Sequence, residues 1–501
     1  MTWTDRHPEP PAVRFDGGDL DCGNGLLLLI RRHLDPLDPG GLLEVLSSEA
    51  SVEDDLPAWS RLTGNELVSA VRAGGVRSYL IRKKAEGGRR KAEPNEEPAR
   101  ITAHPVVSDP PSAFRLPPFA VMGVGSWPRP GWLLRALHDK LSGRLPEEAF
   151  ESAADDAVRL AVAAQERAGV DVVTDGEQRR DNYSSFVGGR LDNCQLVPIT
   201  DLLAYVDDPA HFADELKALD VPADQVRHPA VFGKLSRSKP LAVHELQAVR
   251  RITSKPVKVA LPGPYLLTRT MWLECVSDKA YPDREALSED IVRVLREEIA
   301  DLIAAGAAVV QLDEPVLTEV VFSRPSGGRS FMCGALGAKR DTAEELAFAG
   351  RLLRAVLDGF PRDRLALHVC RGNWSRDEAV ALTGAYTPLV PLFRTLPVGT
   401  FFLEFATPRA GELEPLRDLP AGCRVGLGVV NQKLDSVETA DVIEAKADAA
   451  VRLLGPGRVW LNPDCGFATF ADSPVSSAAV AEQKLAAVAE AARRLRARHG
   501  I

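Results

Sequence analysis

Leu365-Ala-Leu-His-Val-Cys370 is a short apolar run that reads as a β-strand, with a histidine and a cysteine two positions apart at its end. Side chains alternate faces along a strand, so His368 and Cys370 project to the same side. Such a pair is either ordinary core filling or half of a metal site, because zinc accepts imidazole, thiolate and carboxylate ligands at about 2.0–2.3 Å. What surrounds the strand decides between the two.

Outward from this stretch, short β-type runs alternate with longer amphipathic ones. The strand candidates are Phe119–Gly123, Asp171–Thr174, Val257–Leu261, Ala308–Leu312, Leu365–Val369, Thr400–Phe405, Arg424–Val429 and Val459–Asn462. Between them the spacing predicts helices over Pro146–Ala168, Asp283–Ala305, Thr342–Asp358, Thr439–Leu454 and Ser476–Arg498. Eight strand–helix repeats imply an α/β fold, a (β/α)8 TIM-type barrel with insertions, over residues 116–501. The stretch Gln195–Ser254 breaks the repeat and reads as a charged, partly helical excursion after the second strand.

In such a barrel the chemistry gathers where the strands end. The candidate strands end in Val124-Gly-Ser-Trp127, Asp175-Gly-Glu177, Pro262-Gly-Pro264, Asp313-Glu-Pro315, His368-Val-Cys370, Glu404, Asn431-Gln-Lys433 and Asp464-Cys-Gly466. That alignment favours a zinc site of His368, Cys370, Glu404 and Cys465 over core filling. Simpler readings stay open for the neighbours: Asp313 or Glu314 as the cap of the following helix, Ser126 as a turn residue, and Glu177 as the partner of Arg179 or Arg180.

Residues 13–84 read as a separate small α+β unit of order βαβαββ, a two-layer sandwich. Its second helix is expected over Asp54–Leu62, with Asp54 or Asp55 as cap and Pro57 in the first turn. Cys22 sits just before the first helix, where the helix N-terminus favours thiolate. Residues 85–115 mix both charges with Gly and Pro and read as a flexible linker.

Leu20-Asp-Cys22, Pro39-Gly-Gly-Leu-Leu-Glu-Val-Leu46, Asp54-Asp-Leu-Pro-Ala-Trp59, Thr63-Gly-Asn-Glu-Leu67 and Tyr79-Leu-Ile-Arg82 give this unit its resemblance to the TusA-like sulfur-carrier family. The resemblance implies a persulfide on Cys22, delivered by a sulfur-donor protein. The family turn is Cys-Pro-x-Pro; here it is Cys22-Gly-Asn-Gly25, without either proline.

Residues 117–498 resemble the catalytic barrel of cobalamin-independent methionine synthase. The matching residues are Gly125-Ser-Trp127, Thr174-Asp-Gly-Glu177, Gln311-Leu-Asp-Glu-Pro315, His368-x-Cys370, Glu404 and Trp460-Leu-Asn-Pro-Asp-Cys-Gly466. The resemblance implies that zinc binds a homocysteine thiol, that Glu177 and Asp313 hold its ammonium, and that Ser126 holds its carboxylate. Lys433 stands roughly where the family carries a histidine proposed to protonate the departing folate nitrogen, and a lysine of ordinary pKa, about 10.4, is a poor acid at neutral pH. The methyl donor is therefore open between methyltetrahydrofolate and a methylated corrinoid protein. Two other functions remain open: sulfur transfer from a Cys22 persulfide to an acceptor at the zinc, and non-catalytic sulfur carriage with a structural zinc.

A net charge of −9 argues against nucleic acid as partner. No apolar run approaches the roughly 18 residues that a membrane span needs. Seven scattered cysteines suit free or metal-bound thiols in a reducing, cytoplasmic setting rather than a disulfide framework.

Overall fold

The computed structural model describes residues 3–84 apart from 5, 19, 21–25, 35, 51, 64 and 74, then 116–198, 217, 227–272, 280–322 and 341–501. Cys22 and residues 85–115 lie outside the described residues. The chain divides into two units, Met1–Thr102 with Val197–Tyr205, and Ala103–Leu196 with Val206–Ile501.

In the first unit, β1 (Val13–Asp16), β2 (Leu42–Ser47), β3 (Glu66–Ala73) and β4 (Val76–Arg82) form one sheet in the order β1-β2-β4-β3. β1 and β2 are parallel, joined by the helix Leu26–Leu34, and the other pairs are antiparallel. Leu26, Ile30 and Leu34 recur every fourth residue, so they line one helix face. They pack with Val52 and Leu56 of the second helix against Leu43, Val45, Ala70, Tyr79 and Ile81, which makes two layers. Gly75, at φ 88, makes the hairpin between β3 and β4. The second helix is Val52–Thr63, longer than expected. Asp54 and Asp55 therefore lie inside it rather than capping it, and Pro57 lies beyond the first turn.

The second unit is built on a six-stranded parallel sheet, β7 (Lys258–Pro262), β8 (Val309–Asp313), β9 (Leu365–Val369), β10 (Thr400–Leu403), β11 (Arg424–Val430) and β12 (Val459–Pro463), each paired with the next in sequence. Nearly every residue of these strands is buried, as expected of parallel strands covered on both faces. The covering helices include Arg284–Ala304, Thr342–Leu357, Ala440–Leu454 and Ala478–His499, with N-caps Asp283, Asp341, Thr439 and Ser477 each accepting a first-turn N–H.

Two expected strands, 119–123 and 171–174, are reduced to single parallel bridges: Val121 to Leu461, Met122 to Val172 and Val173 to Val257. Two local causes are visible. Phe119 turns through φ 55, and the Val121 N–H donates to the Asp171 carboxylate (2.8 Å) instead of to a ladder carbonyl. The excursion within 195–254 is also more extended than expected, since β5 (Asp192–Pro198) and β6 (Arg227–Ser236) form a separate two-stranded sheet. Among the described residues, no helix is long and apolar enough to cross a membrane.

Candidate functional site

Parallel register sets the site. Asp313, the last residue of β8, stands opposite His368 of β9, and their side chains meet with His368 Nδ1 2.9 Å from Asp313 Oδ1. Cys370 follows β9 by one residue and Cys465 follows β12 by two. The ligand atoms of His368, Cys370 and Cys465 lie within 4.8 Å of one another, all in buried residues. His368 Nε2 has no hydrogen-bond partner among the described residues. A hydrogen bond from Cys465 pulls the Cys370 thiol below its usual pKa, and the same bond, with burial, pushes Cys465 well up. One buried imidazole nitrogen and two sulfurs fit zinc by donor type.

Glu404, the residue after β10, is buried but falls outside that three-residue cluster. Neither of its oxygens has a hydrogen-bond partner among the described residues; Arg371 Nη1 and Arg409 Nη2 stand 3.7 and 3.9 Å from Oε2. Two guanidiniums thus face the carboxylate expected as fourth ligand. Lys433 is buried, with no hydrogen-bond partner for its ammonium among the described residues. Burial lowers its pKa, and the charge of Glu404 partly offsets this.

A cavity opens on the cluster, lined by Ser126, Glu177 and Asp313 together with His368, Cys370 and Cys465. The three residues expected on the substrate side are therefore brought to the three sulfur and nitrogen donors, whereas Lys433 is not among the lining residues. Glu177 sits on a strained backbone, φ 55, in a loop fastened from both sides. Trp127 N donates to Gly176 O (2.9 Å), and the buried Arg129 donates to the carbonyls of Glu177 (2.7 Å) and Ala468 (3.1 Å).

The alternative pairing of Glu177 with Arg179 or Arg180 does not occur among the described residues. Arg179 bonds Glu151 and Asp155, and Arg180 bonds Glu245. Glu177 Oε2 is left without a hydrogen-bond partner among the described residues. Burial raises this carboxyl to about 7, with Arg180 working against the rise and Asp313 adding to it. Ser126 is more than a turn residue. Its hydroxyl accepts from Ala468 N (3.2 Å), and its carbonyl accepts from Phe467 N (3.0 Å), tying the first strand end to the last. The capping role falls to Glu314, on an unexpected helix: it accepts from Tyr265 N (2.8 Å) and Leu266 N (2.9 Å) at the start of Pro264–Met271.

Tyr183, Asn373, Trp374 and Phe470 also line the cavity and carried no signal in the spacing of motifs. Asn373 and Trp374 follow Cys370 closely, which is the one hint the sequence held.

This is an α/β protein whose parallel strands converge on a buried histidine–dicysteine cluster beside a cavity with two carboxylates. The family described as cobalamin-independent synthase, catalytic domain, matches residues 119–344 and 363–492, and the chain belongs to it. It is 28% identical over 355 residues to the methionine synthase of Pyrococcus abyssi, covering 70% of this chain and 87% of that protein. It is also 28% identical over 387 residues to the 5-methyltetrahydropteroyltriglutamate–homocysteine methyltransferase of Nitratidesulfovibrio vulgaris, covering 77% of this chain but 43% of that protein. Among solved structures, it resembles a B12-independent methionine synthase from Shewanella sp. W3-18-1, solved in complex with selenomethionine, with a TM-score of 0.58 at 23% identity, over 76% of this chain and 99% of that one.

Proposed function

We propose that this protein is a zinc-dependent transferase that methylates a thiol, with homocysteine as acceptor and methionine as product. The observation that carries the reading is the histidine–dicysteine cluster within 4.8 Å, open to a cavity that also presents Glu177, Asp313 and Ser126. Relatives named for methionine synthesis and homocysteine methylation support the choice of acceptor.

His368, Cys370 and Cys465 would hold the metal, and Glu404 would serve as the fourth ligand. Zinc bound there supplies thiol deprotonation near neutral pH, where a free thiol of pKa about 8.5 is mostly protonated. The chain's own residues do the rest. Glu177 and Asp313 present two carboxylates to one ammonium, and Ser126 offers a hydroxyl to the carboxylate of the same amino acid. The aromatic walls of Tyr183, Trp374 and Phe470 exclude water from the sulfur.

Lys433 is the group proposed to act on the donor side. Burial has already moved its pKa downward, toward what proton transfer requires. The donor is methyltetrahydrofolate or a methylated corrinoid protein.

The second unit is proposed to be a closed (β/α)8 barrel. The three parallel bridges that tie residues 121–122 and 172–173 to both edges of the six-stranded sheet support this. So does the cluster of Ala120, Met122, Val172, Val309, Ala366, Phe402 and Trp460 drawn from its segments. The domains are proposed as residues 13–84 and 116–501; residues 85–115, expected as a linker, lie outside the described residues. For the first, a TusA-like identity is supported by its helix and strand order.

The test is direct. Purified protein should contain zinc, and with homocysteine and labelled methyltetrahydrofolate or methylcobalamin it should yield labelled methionine that a chelator abolishes. Zinc-loaded protein that makes methionine from neither donor overturns the proposal.

A further inference from the structure

Beneath the site a chain of buried polar groups runs from Lys258 to His368. Lys258 opens β7, and its ammonium donates to Val124 O (2.7 Å) and to Gln311 Oε1 (2.6 Å). It also stands 4.3 Å from the centroid of the Phe402 ring. Gln311 Nε2 donates to Asp313 Oδ1 (2.7 Å), and the same oxygen meets His368 Nδ1. Lys258 is 1% exposed and Gln311 is fully buried. The register of the sheet makes this ladder: Ala260 lies opposite Gln311, Pro262 opposite Asp313, and Asp313 opposite His368.

With Lys258 charged, the direction of every link follows from one end. An ammonium has only donors, so the Gln311 oxygen must face Lys258 and the amide nitrogen must face Asp313. A glutamine turned the other way would set its oxygen against the carboxylate. Asp313 Oδ1 then accepts from both Gln311 and His368, which puts the imidazole proton on Nδ1 and leaves the Nε2 lone pair for the metal. Burial brings Lys258 down to about 7 against the pull of Asp313, Glu177 and Cys465, and the bonds to Val124 O and Gln311 Oε1 favour its charged form.

We infer that Lys258 is a positioning residue for the metal site, acting through Gln311 and Asp313 to fix the tautomer and orientation of His368. The inference rests on the zinc reading given above. It adds that metal affinity is set by a lysine three side chains away from the ligand.

The test compares parent protein with Lys258→Met, Gln311→Met and the double variant, all as full chains. Zinc affinity is measured by competition with a chromogenic chelator, and thermal melts are recorded alongside. Each single variant is expected to bind zinc about 10- to 100-fold more weakly, in the range seen when a partner of a ligand is removed. The double variant should bind no more weakly than the poorer single one, because both break one chain. Packing defects alone would lower the melts and leave zinc affinity in place. Parent protein that binds no zinc would remove the underlying reading. Parent protein that binds it, with either single variant within about threefold of parent or with multiplicative losses, would overturn the positioning role alone. Should Lys258→Met not melt cooperatively, Gln311→Met decides by the same affinity criterion; if neither folds, the lysine is a core group and the inference falls.

Discussion

Replacing Gly125 by alanine tests the substrate side of the site with a single methyl group. A Cβ at this position would overlap Glu177 Oε1 and stand 3.4 Å from its Cδ, while the next neighbour, Ala260 Cβ, is 4.0 Å away. The clash therefore falls on the Glu177 carboxylate and on nothing else nearby. The Gly125 backbone lies outside the left-handed region, so alanine fits there, and the shorter list of unfolded conformations favours the folded chain by about 0.4–1 kcal/mol. Displacing one carboxylate from an ammonium forfeits a charged hydrogen bond worth about 1.5–3 kcal/mol. Gly125→Ala should thus weaken homocysteine binding roughly 10- to 100-fold, with melting temperature and zinc content held. Calorimetric titration of zinc-loaded protein with homocysteine reads this out, and Gly125→Ala combined with Glu177→Gln should lose no more than Glu177→Gln alone. Binding within about twofold of parent in Gly125→Ala would refute the assignment of Glu177 to the ammonium.

Two further outcomes follow from the same neighbourhood. Folded Glu177 titrates at about 7 against 4.5 for an ordinary glutamate, so between those values the folded chain keeps a proton that the unfolded chain has lost. The corresponding stability is fully present below pH 4.5 and is lost as pH rises through 7, up to roughly 3 kcal/mol. Glu177→Gln should flatten that slope in urea melts taken across the window; an unchanged slope counts against a buried, raised carboxyl. Arg180 and Glu245 form a pair in which both side chains are almost wholly buried. Glu245→Leu, leaving the guanidinium without its carboxylate, should destabilise by about 3–5 kcal/mol in the same assay, while Glu245→Leu with Arg180→Met should recover much of the loss.

Much of this was legible in the sequence because parallel strands write themselves as unbroken apolar runs. Leu365–Val369 lies where the pattern put it, Val309–Asp313 is displaced by one residue at both ends, and Arg424–Val430 and Val459–Pro463 run one residue longer. The segments at 119–123 and 171–174 were less faithful, because an aspartate side chain competes with the backbone for Val121 N and no composition reveals that competition. At the site, His368, Cys370 and Cys465 were found by residue type at strand ends. The position of Glu404 beside Arg371 and Arg409 was not, since Arg371 comes from a loop and Arg409 from the short 3-10 helix Pro408–Ala410, whose courses depend on the whole fold. Lys258 was hidden for a different reason. A lysine at the start of an apolar strand looks like a solvent-facing flank, and only the neighbouring strand shows that its ammonium points inward.

Asp313 faces two ways, gripping an imidazole within the protein while forming part of the wall that an amino-acid ammonium would touch. On the proposed reading, a carboxylate in that position couples headgroup recognition to ion capture, and the coupling is reciprocal: whatever the arrival of one does to the hold on the other, the reverse arrival must do by the same factor. Selection for a tighter grip on either guest would therefore alter the residence of both.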